Sequence, residues 1–259
     1  MFTGFNIKFP EYEVITPQTK KSFTVRSLTV QEEEKLKGSL VTPGKILDHL
    51  NTCIYECIVK KPDTCKDYNS FLKNVTIKDR DALLYGLYHI TYDDIRNYDI
   101  TCTSCGNKHP VTVKASDTFN YNEYPGDSSI LERVIPLPLP VTKGVTAYIK
   151  QPTLEDEIKL TKEVAGLTDA STESLIILKF EQDDAQQKKP ISYEQRNEIL
   201  EGYLQLLPRD RKEIHKVYLE NFGKYGIELK MKAECPKCGF SEVTNIDLVE
   251  SFFRNVLSI

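Results

Sequence analysis

Two short turns constrain this chain more than any other feature. "CTSCG" at Cys102–Gly106 and "CPKCG" at Cys235–Gly239 each set two thiols three positions apart and follow them with glycine. That spacing lets two thiolates on one tight turn grip a single metal ion, but a closed structural zinc site takes four ligands. Each turn is therefore half a site, and the halves are far apart in sequence.

The stretches leading to the two turns run in parallel. Pro17-Gln18-Thr19-Lys20 and Pro140-Val141-Thr142-Lys143 both read P-x-T-K. Each is followed by alternating residues suited to a strand, "SFTVRS" from Ser22 and "VTAYIKQ" from Val145. Then "TVQEEEKL", from Thr29, matches "TLEDEIKL", from Thr153, without a gap, Glu33 falling on Glu157. Asp79-Arg80 and Asp210-Arg211 each open a helical stretch ahead of a CxxCG turn. The spacing from Cys105 to Phe119 equals that from Cys238 to Phe252. Matches in the same order point to an internal duplication. The expected organisation is a first repeat over 1–124, a Pro-rich connector over 125–140 and a second repeat over 141–259. Two copies about a pseudo-twofold axis would bring both turns together, so that Cys102, Cys105, Cys235 and Cys238 form one site.

Each repeat reads as strand, three helices, strand, knuckle, strand, helix, so the expected class is α+β. Thr29 and Thr153 are N-caps with Glu32 and Asp156 three residues on, close to a capping box. Glu32 to Glu34 and Glu155 to Glu157 read as surface carboxylates complementing the helix dipole. Ile46, Leu50, Cys53, Ile54, Cys57 and Ile58 make an apolar helical stripe. Cys53 and Cys57 therefore read as small core residues, and Cys65 has no partner in sequence. Ser192 with Gln195 caps a helix carrying Ile199, Leu200, Tyr203 and Leu204, and Phe222-Gly223 reads as a helix stop. The join "YPGDSSILERVIPLPLP", from Tyr124 to Pro140, favours an extended connector. "EQDDAQQKKP", from Glu181 to Pro190, reads as a mobile surface loop.

Two CxxCG turns at matching places suit a tetrathiolate zinc site on ribbon-like hairpins. An iron–sulfur cluster takes the same four ligands, and the absence of any metal also remains open. No thioredoxin-like βαβ pattern surrounds either turn. His109, four residues after Cys105, is an alternative ligand or else a polar turn residue; Glu242 holds the matching place in the second repeat.

Seven cysteines in 259 residues are too few, and odd in number, for a secreted disulfide scaffold, which favours the reducing cytoplasm. No apolar run is long enough for a transmembrane helix. The opening "MFTGFNIKFPEYE" brings charge and proline too early for a signal-peptide core. A net charge of −4 argues against a broad grip on nucleic acid. Near the knuckles, Lys108, Lys114, Lys230, Lys232 and Lys237 are diluted by Glu228, Glu234, Glu242 and Asp247. No phosphate-binding loop, GxSxG elbow or HExxH is present. His49, His89 and His215 fall in helices away from an evident acid–nucleophile pair.

The chain also resembles a phage family, the T-even-type baseplate proteins that assemble the central hub of a contractile tail. The resemblance rests on Leu139-Pro140 with Thr142-Lys143-Gly144, on "PTLEDEIKL", on "LPRDRKEI" from Leu207 and on "CPKCGF". The second half matches best. The resemblance implies a non-enzymatic structural or assembly component, in the virion tail or in the host cytoplasm during assembly. Its partners would be other hub or tail proteins, or the tape-measure end of the tail, with no specific nucleic acid and no membrane. The rival reading from the residues is a zinc-ribbon regulatory or nucleic-acid-binding module.

Overall fold

Strand pairing in a computed structural model of the chain is antiparallel throughout the described residues, which are 8–39, 45–92, 95–114, 119–126, 129–164, 168–183 and 189–246. They form a mixed α and β architecture with eight α-helices and twelve strands.

The N-terminal part is a three-stranded sheet under helices. β1 (Glu11–Ile15), β2 (Ser22–Arg26) and β3 (Ile58–Lys60) pair in that order. Between β2 and β3 run α1 (Val30–Ser39) and α2 (Ile46–Cys57); α3 (Tyr68–Asn74) and α4 (Ile77–Thr91) follow. Alternation on β2 sends Phe23 and Val25 into the core, where they meet Leu50, Ile54, Phe71, Leu83, Leu84 and Leu87. Cys53, Cys57 and Cys65 are buried in the same core.

The second sheet runs β10–β9–β8–β7, with β7 at Val134–Pro138, β8 at Val145–Lys150, β9 at Ile177–Gln182 and β10 at Ile191–Tyr193. Its helices are α5 (Leu154–Glu163), α6 (Asp169–Glu173), α7 (Arg196–Leu204) and α8 (Pro208–Tyr218). Within the proline-rich stretch a 3-10 turn at Ile130–Glu132 precedes an extended Val134–Pro138, which supplies an edge strand of this sheet. Pro136 and Pro138 donate no N–H, which an edge tolerates.

The two parts share detail that strand order alone would not require. Val25 pairs with Ile58 and Thr24 with Lys60, with a register shift between them; Ile149 pairs with Ile177 and Tyr148 with Lys179, with the same shift. Asp79 accepts from Gln18 N (2.8 Å), Thr19 N (3.2 Å) and Thr19 Oγ1 (2.6 Å). Asp210 accepts from Val141 N (2.8 Å), Thr142 N (3.1 Å) and Thr142 Oγ1 (2.7 Å). Both P-x-T-K turns are thus pinned by a buried aspartate in the first turn of a later helix.

Contacts between the parts are extensive. Leu154, Ile227 and Leu229 from the second half lie in the first core. Gln18 Nε2 donates to the carbonyls of Phe222 (3.1 Å) and Tyr225 (3.0 Å) and to Gln151 Oε1 (3.2 Å). A bridge joins Thr76 to Thr153, and Arg80 pairs with Glu157 where both are buried.

Several sequence expectations need correction. Thr29 with Glu32 and Thr153 with Asp156 do form reciprocal caps. Glu33 and Glu157, read as surface, are buried, because Tyr92 Oη (2.6 Å) and Arg80 satisfy them. Gln195 is the N-cap of α7, while Ser192 belongs to β10. α8 ends through a π turn at Leu219–Gly223, and Gly223 lacks the positive φ of a left-handed cap. Phe119–Asn122, placed in a helix by the repeat pattern, is strand β6, because the free edge of β11 (Gly226–Glu234) offers it hydrogen-bond partners. The matching stretch from Phe252 lies outside the described residues, as does the middle of the Glu181–Pro190 loop.

Candidate metal centre

Each knuckle is the tip of a two-stranded ribbon. β4 (Ile95–Thr101) pairs with β5 (Lys108–Lys114), closing at Thr101 opposite Lys108. β11 pairs with β12 (Ser241–Asn245), closing at Glu234 opposite Ser241. Inside the first turn, Cys102 N donates to Asn107 O and Gly106 N to Cys102 O, both at 2.9 Å. Inside the second, Cys235 N donates to Phe240 O and Gly239 N to Cys235 O, again at 2.9 Å. Gly106 and Gly239 sit at φ 69° and 71°, in the left-handed region that glycine enters without a Cβ penalty.

The four sulfurs converge. All lie within 4.8 Å of one another. The near pairs cross between ribbons: Cys102 Sγ is 3.7 Å from Cys238 Sγ, and Cys105 Sγ is 3.7 Å from Cys235 Sγ. These distances are far beyond a disulfide bond of about 2.05 Å. Four thiolates about 2.3 Å from a tetrahedral zinc ion would stand about 3.8 Å apart, a spacing the two cross-ribbon pairs match and the 4.8 Å span of the cluster approaches. Cys102 and Cys235 are buried, while Cys105 and Cys238 face solvent.

Electrostatics favour a cation there. Burial opposes ionisation of Cys235, but amides of Cys238 and Lys237 and the thiols of Cys105 and Cys238 outweigh it and hold the group at about 6. At Cys238 the Phe240 amide favours the anion. Desolvation and the sulfurs of Cys105, Cys235 and Cys102 prevail over it and push the group up to about 12. One thiolate forms readily, and each further one is opposed by those present. A divalent cation at the centre removes that conflict.

Sequence reasoning missed the ring of contacts around the sulfurs. Thr103 Oγ1 donates to Glu242 Oε2 across the ribbons at 2.8 Å, and Asn107 Nδ2 lies 3.9 Å from Cys235 Sγ. Pairing Glu242 with Thr103 requires the two turns to face each other, which no local pattern reports. His109 is outside the cluster and is not a turn residue. It sits in β5 opposite Ile100, buried, with neither ring nitrogen hydrogen-bonded. His215, expected in a helix away from an evident acid–nucleophile pair, lies in α8, 2.8 Å from Tyr203 Oη, which donates to Glu173 at 2.6 Å. Burial and the carboxylate push the Tyr203 phenol well up, so this trio holds α7, α8 and α6 together and offers no ready nucleophile. Among the lysines flanking the knuckles, Lys230 is paired with Glu228 at 2.6 Å, which weakens a basic field further.

Comparison with known proteins defines the class: the chain is a structural component of a phage tail. It belongs to the family described as T4 bacteriophage base plate protein, which matches residues 9–254, nearly the whole chain. No curated protein and no solved structure matches it. A baseplate component sits in the virion tail among other phage tail proteins. No helix among the described residues is long and apolar enough to cross a membrane.

Proposed function

We propose that this chain is a non-enzymatic structural or assembly component of the baseplate hub, built as two repeats stapled by one structural zinc ion. The repeats run over 1–124 and 141–259, joined through 125–140, with β7 in that join completing the second sheet. Cys102, Cys105, Cys235 and Cys238 hold the ion. The observation that carries this reading is the cross-ribbon sulfur spacing of 3.7 Å within a cluster no wider than 4.8 Å. Four thiolates leave no open position for water or substrate, which marks the ion as structural. A single ion suits the compact cluster better than an iron–sulfur centre, whose thiolates attach to different irons. The paired register shifts and the paired aspartate turns support the repeat reading.

The ion ties together segments that the unfolded chain keeps apart, so binding is linked to folding. The purified protein should contain one zinc per chain by elemental analysis. Cys102→Ser and Cys235→Ser should each lose it and lower the melting temperature alike. The double variant should melt little below either single one, since all three lose the same ion. Two ions per chain, or full zinc retention in Cys235→Ser, would overturn the shared site, and iron instead of zinc would overturn the identity of the ion. Infection with a null mutant should yield tails arrested at hub completion; normal particles would overturn the hub assignment.

A further inference from the structure

The contact between α4 and α5 joins two different surfaces, one from each half. The donor is the start of α5: Thr153 bridges to Thr76, Leu154 N donates to Val75 O (3.1 Å), and the Leu154 side chain is fully buried in the first core. The acceptor is the corner where α3 meets α4. Two ion pairs guard it, Lys73 with Glu155 at 3.9 Å and Arg80 with Glu157.

Each surface has a counterpart on the other half. The residue after the capping threonine is Leu154 in α5 and Val30 in α1. Val30 is 73% exposed. The acceptor N-cap is Thr76 in α4 and Leu207 in α8, each with aspartate as its third helical residue. Leu207 is 47% exposed, and Leu204, three residues before it as Lys73 is before Thr76, is 64% exposed. These positions thus present exposed aliphatic side chains where the joined pair has its contacts.

We propose that the chain associates with a second copy of itself head to tail, the start of α1 in one copy docking on the α7–α8 corner of the next. The reading rests on the repeats proposed above. The partner is a second copy because the chain already joins this donor to this acceptor internally and leaves one of each on its surface. The outer contact is the more apolar: Lys73 and Glu155 correspond to Leu204 and Gln31, and Arg211 and Glu33 are already engaged by Glu173 and Tyr92. It is also the weaker. Ile77 N donates to Pro152 O at 3.3 Å within the chain, whereas its counterpart Pro208 has no N–H to give. A contact between unlike surfaces propagates into a closed ring or an open string.

Sedimentation of the full zinc-loaded chain tests this. The weight-average mass should rise above one chain between about 1 and 100 µM, the range of a small interface. Val30→Asp removes the donor and Leu207→Asp the acceptor. Both place aspartate at the first turn of a helix, where the dipole and the capping amides favour it, so both should fold. Each variant alone should self-associate at least tenfold more weakly. An equimolar mixture should form a dimer and stop there, because each variant retains the surface its mate lacks. A wild type that stays monomeric at 100 µM, variants that associate like wild type, or a mixture that stays monomeric would overturn the proposal. Metal content separates this from the shared site: variants keeping one zinc but failing these outcomes reject the docking alone.

Discussion

The twin aspartates give a test in which the sign of a pH dependence is fixed in advance. Asp79→Ala leaves the amides of Gln18 and Thr19 without their acceptor at a fully buried site; Thr19 Oγ1 can still turn to Thr16 Oγ1, 2.9 Å away. Each orphaned buried donor costs about 1–3 kcal/mol. Relief from holding a desolvated carboxylate offsets part of that. The net cost at pH 7 is about 2–4 kcal/mol, or roughly 5–15 °C in melting temperature for a chain of this size. Desolvation by burial, resisted by Thr19, Gln18 and Lys21, raises the Asp79 carboxyl to about 6. A raised folded value means the native state holds its proton longer than the unfolded chain. Wild-type stability from this group is therefore fully present below about 4 and is lost as pH climbs through 6. Alanine cannot lose it. The penalty of Asp79→Ala should thus be larger at pH 5 than at pH 7, by about 1 kcal/mol. Asp210→Ala should differ in both sign and pH window. Burial works against the Asp210 anion, but Thr142 and the Val141 amide outweigh it and depress the group, so its penalty should stay level from pH 7 to pH 5 and shrink only below about 4, where the unfolded carboxylate takes up its proton. Urea unfolding followed by far-ultraviolet circular dichroism at pH 7, at pH 5 and at about pH 3 would measure this. An Asp79→Ala cost below about 1 kcal/mol, or one growing from pH 5 to pH 7, would refute the reasoning.

Arg80→Met should cost about 3–5 kcal/mol by stranding the buried Glu157 carboxylate, and the double variant with Glu157→Leu should recover most of it; urea titration of the three variants decides, and an additive double variant would refute the pairing. Gly106→Ala and Gly239→Ala should each cost about 1–2 kcal/mol from backbone strain alone, since no atom lies within 4 Å of a Cβ built at either position. Unequal thermal melts of those two variants would show that the turns are not held alike.

Local chemistry was legible without coordinates. A threonine with a carboxylate three residues on determines a cap, because donor and acceptor lie within one helical turn, as at Thr29 and Thr153. Cysteine spacing and a following glycine determine a knuckle for the same reason. Alternation placed Phe23, Val25, Ala147 and Ile149 on buried strand faces, and the apolar stripe placed Cys53 and Cys57 in a core.

What the sequence left open depended on partners far along the chain. Phe119–Asn122 became a strand because β11 had an edge to offer, a choice made by hydrogen bonding to residues 226–229 and not by the segment's own pattern. Glu157 reads as solvent-facing until Arg80 arrives beside it from the other half. His109 and Glu242 occupy matching places after their knuckles, yet Glu242 found Thr103 while His109 is buried without a hydrogen-bonded ring nitrogen. Sequence alone determined two half-sites of two thiols each. Only the tertiary structure decided that Cys102 meets Cys238 and Cys105 meets Cys235, because bringing ribbon tips together depends on the packing of both cores and not on spacing within either turn.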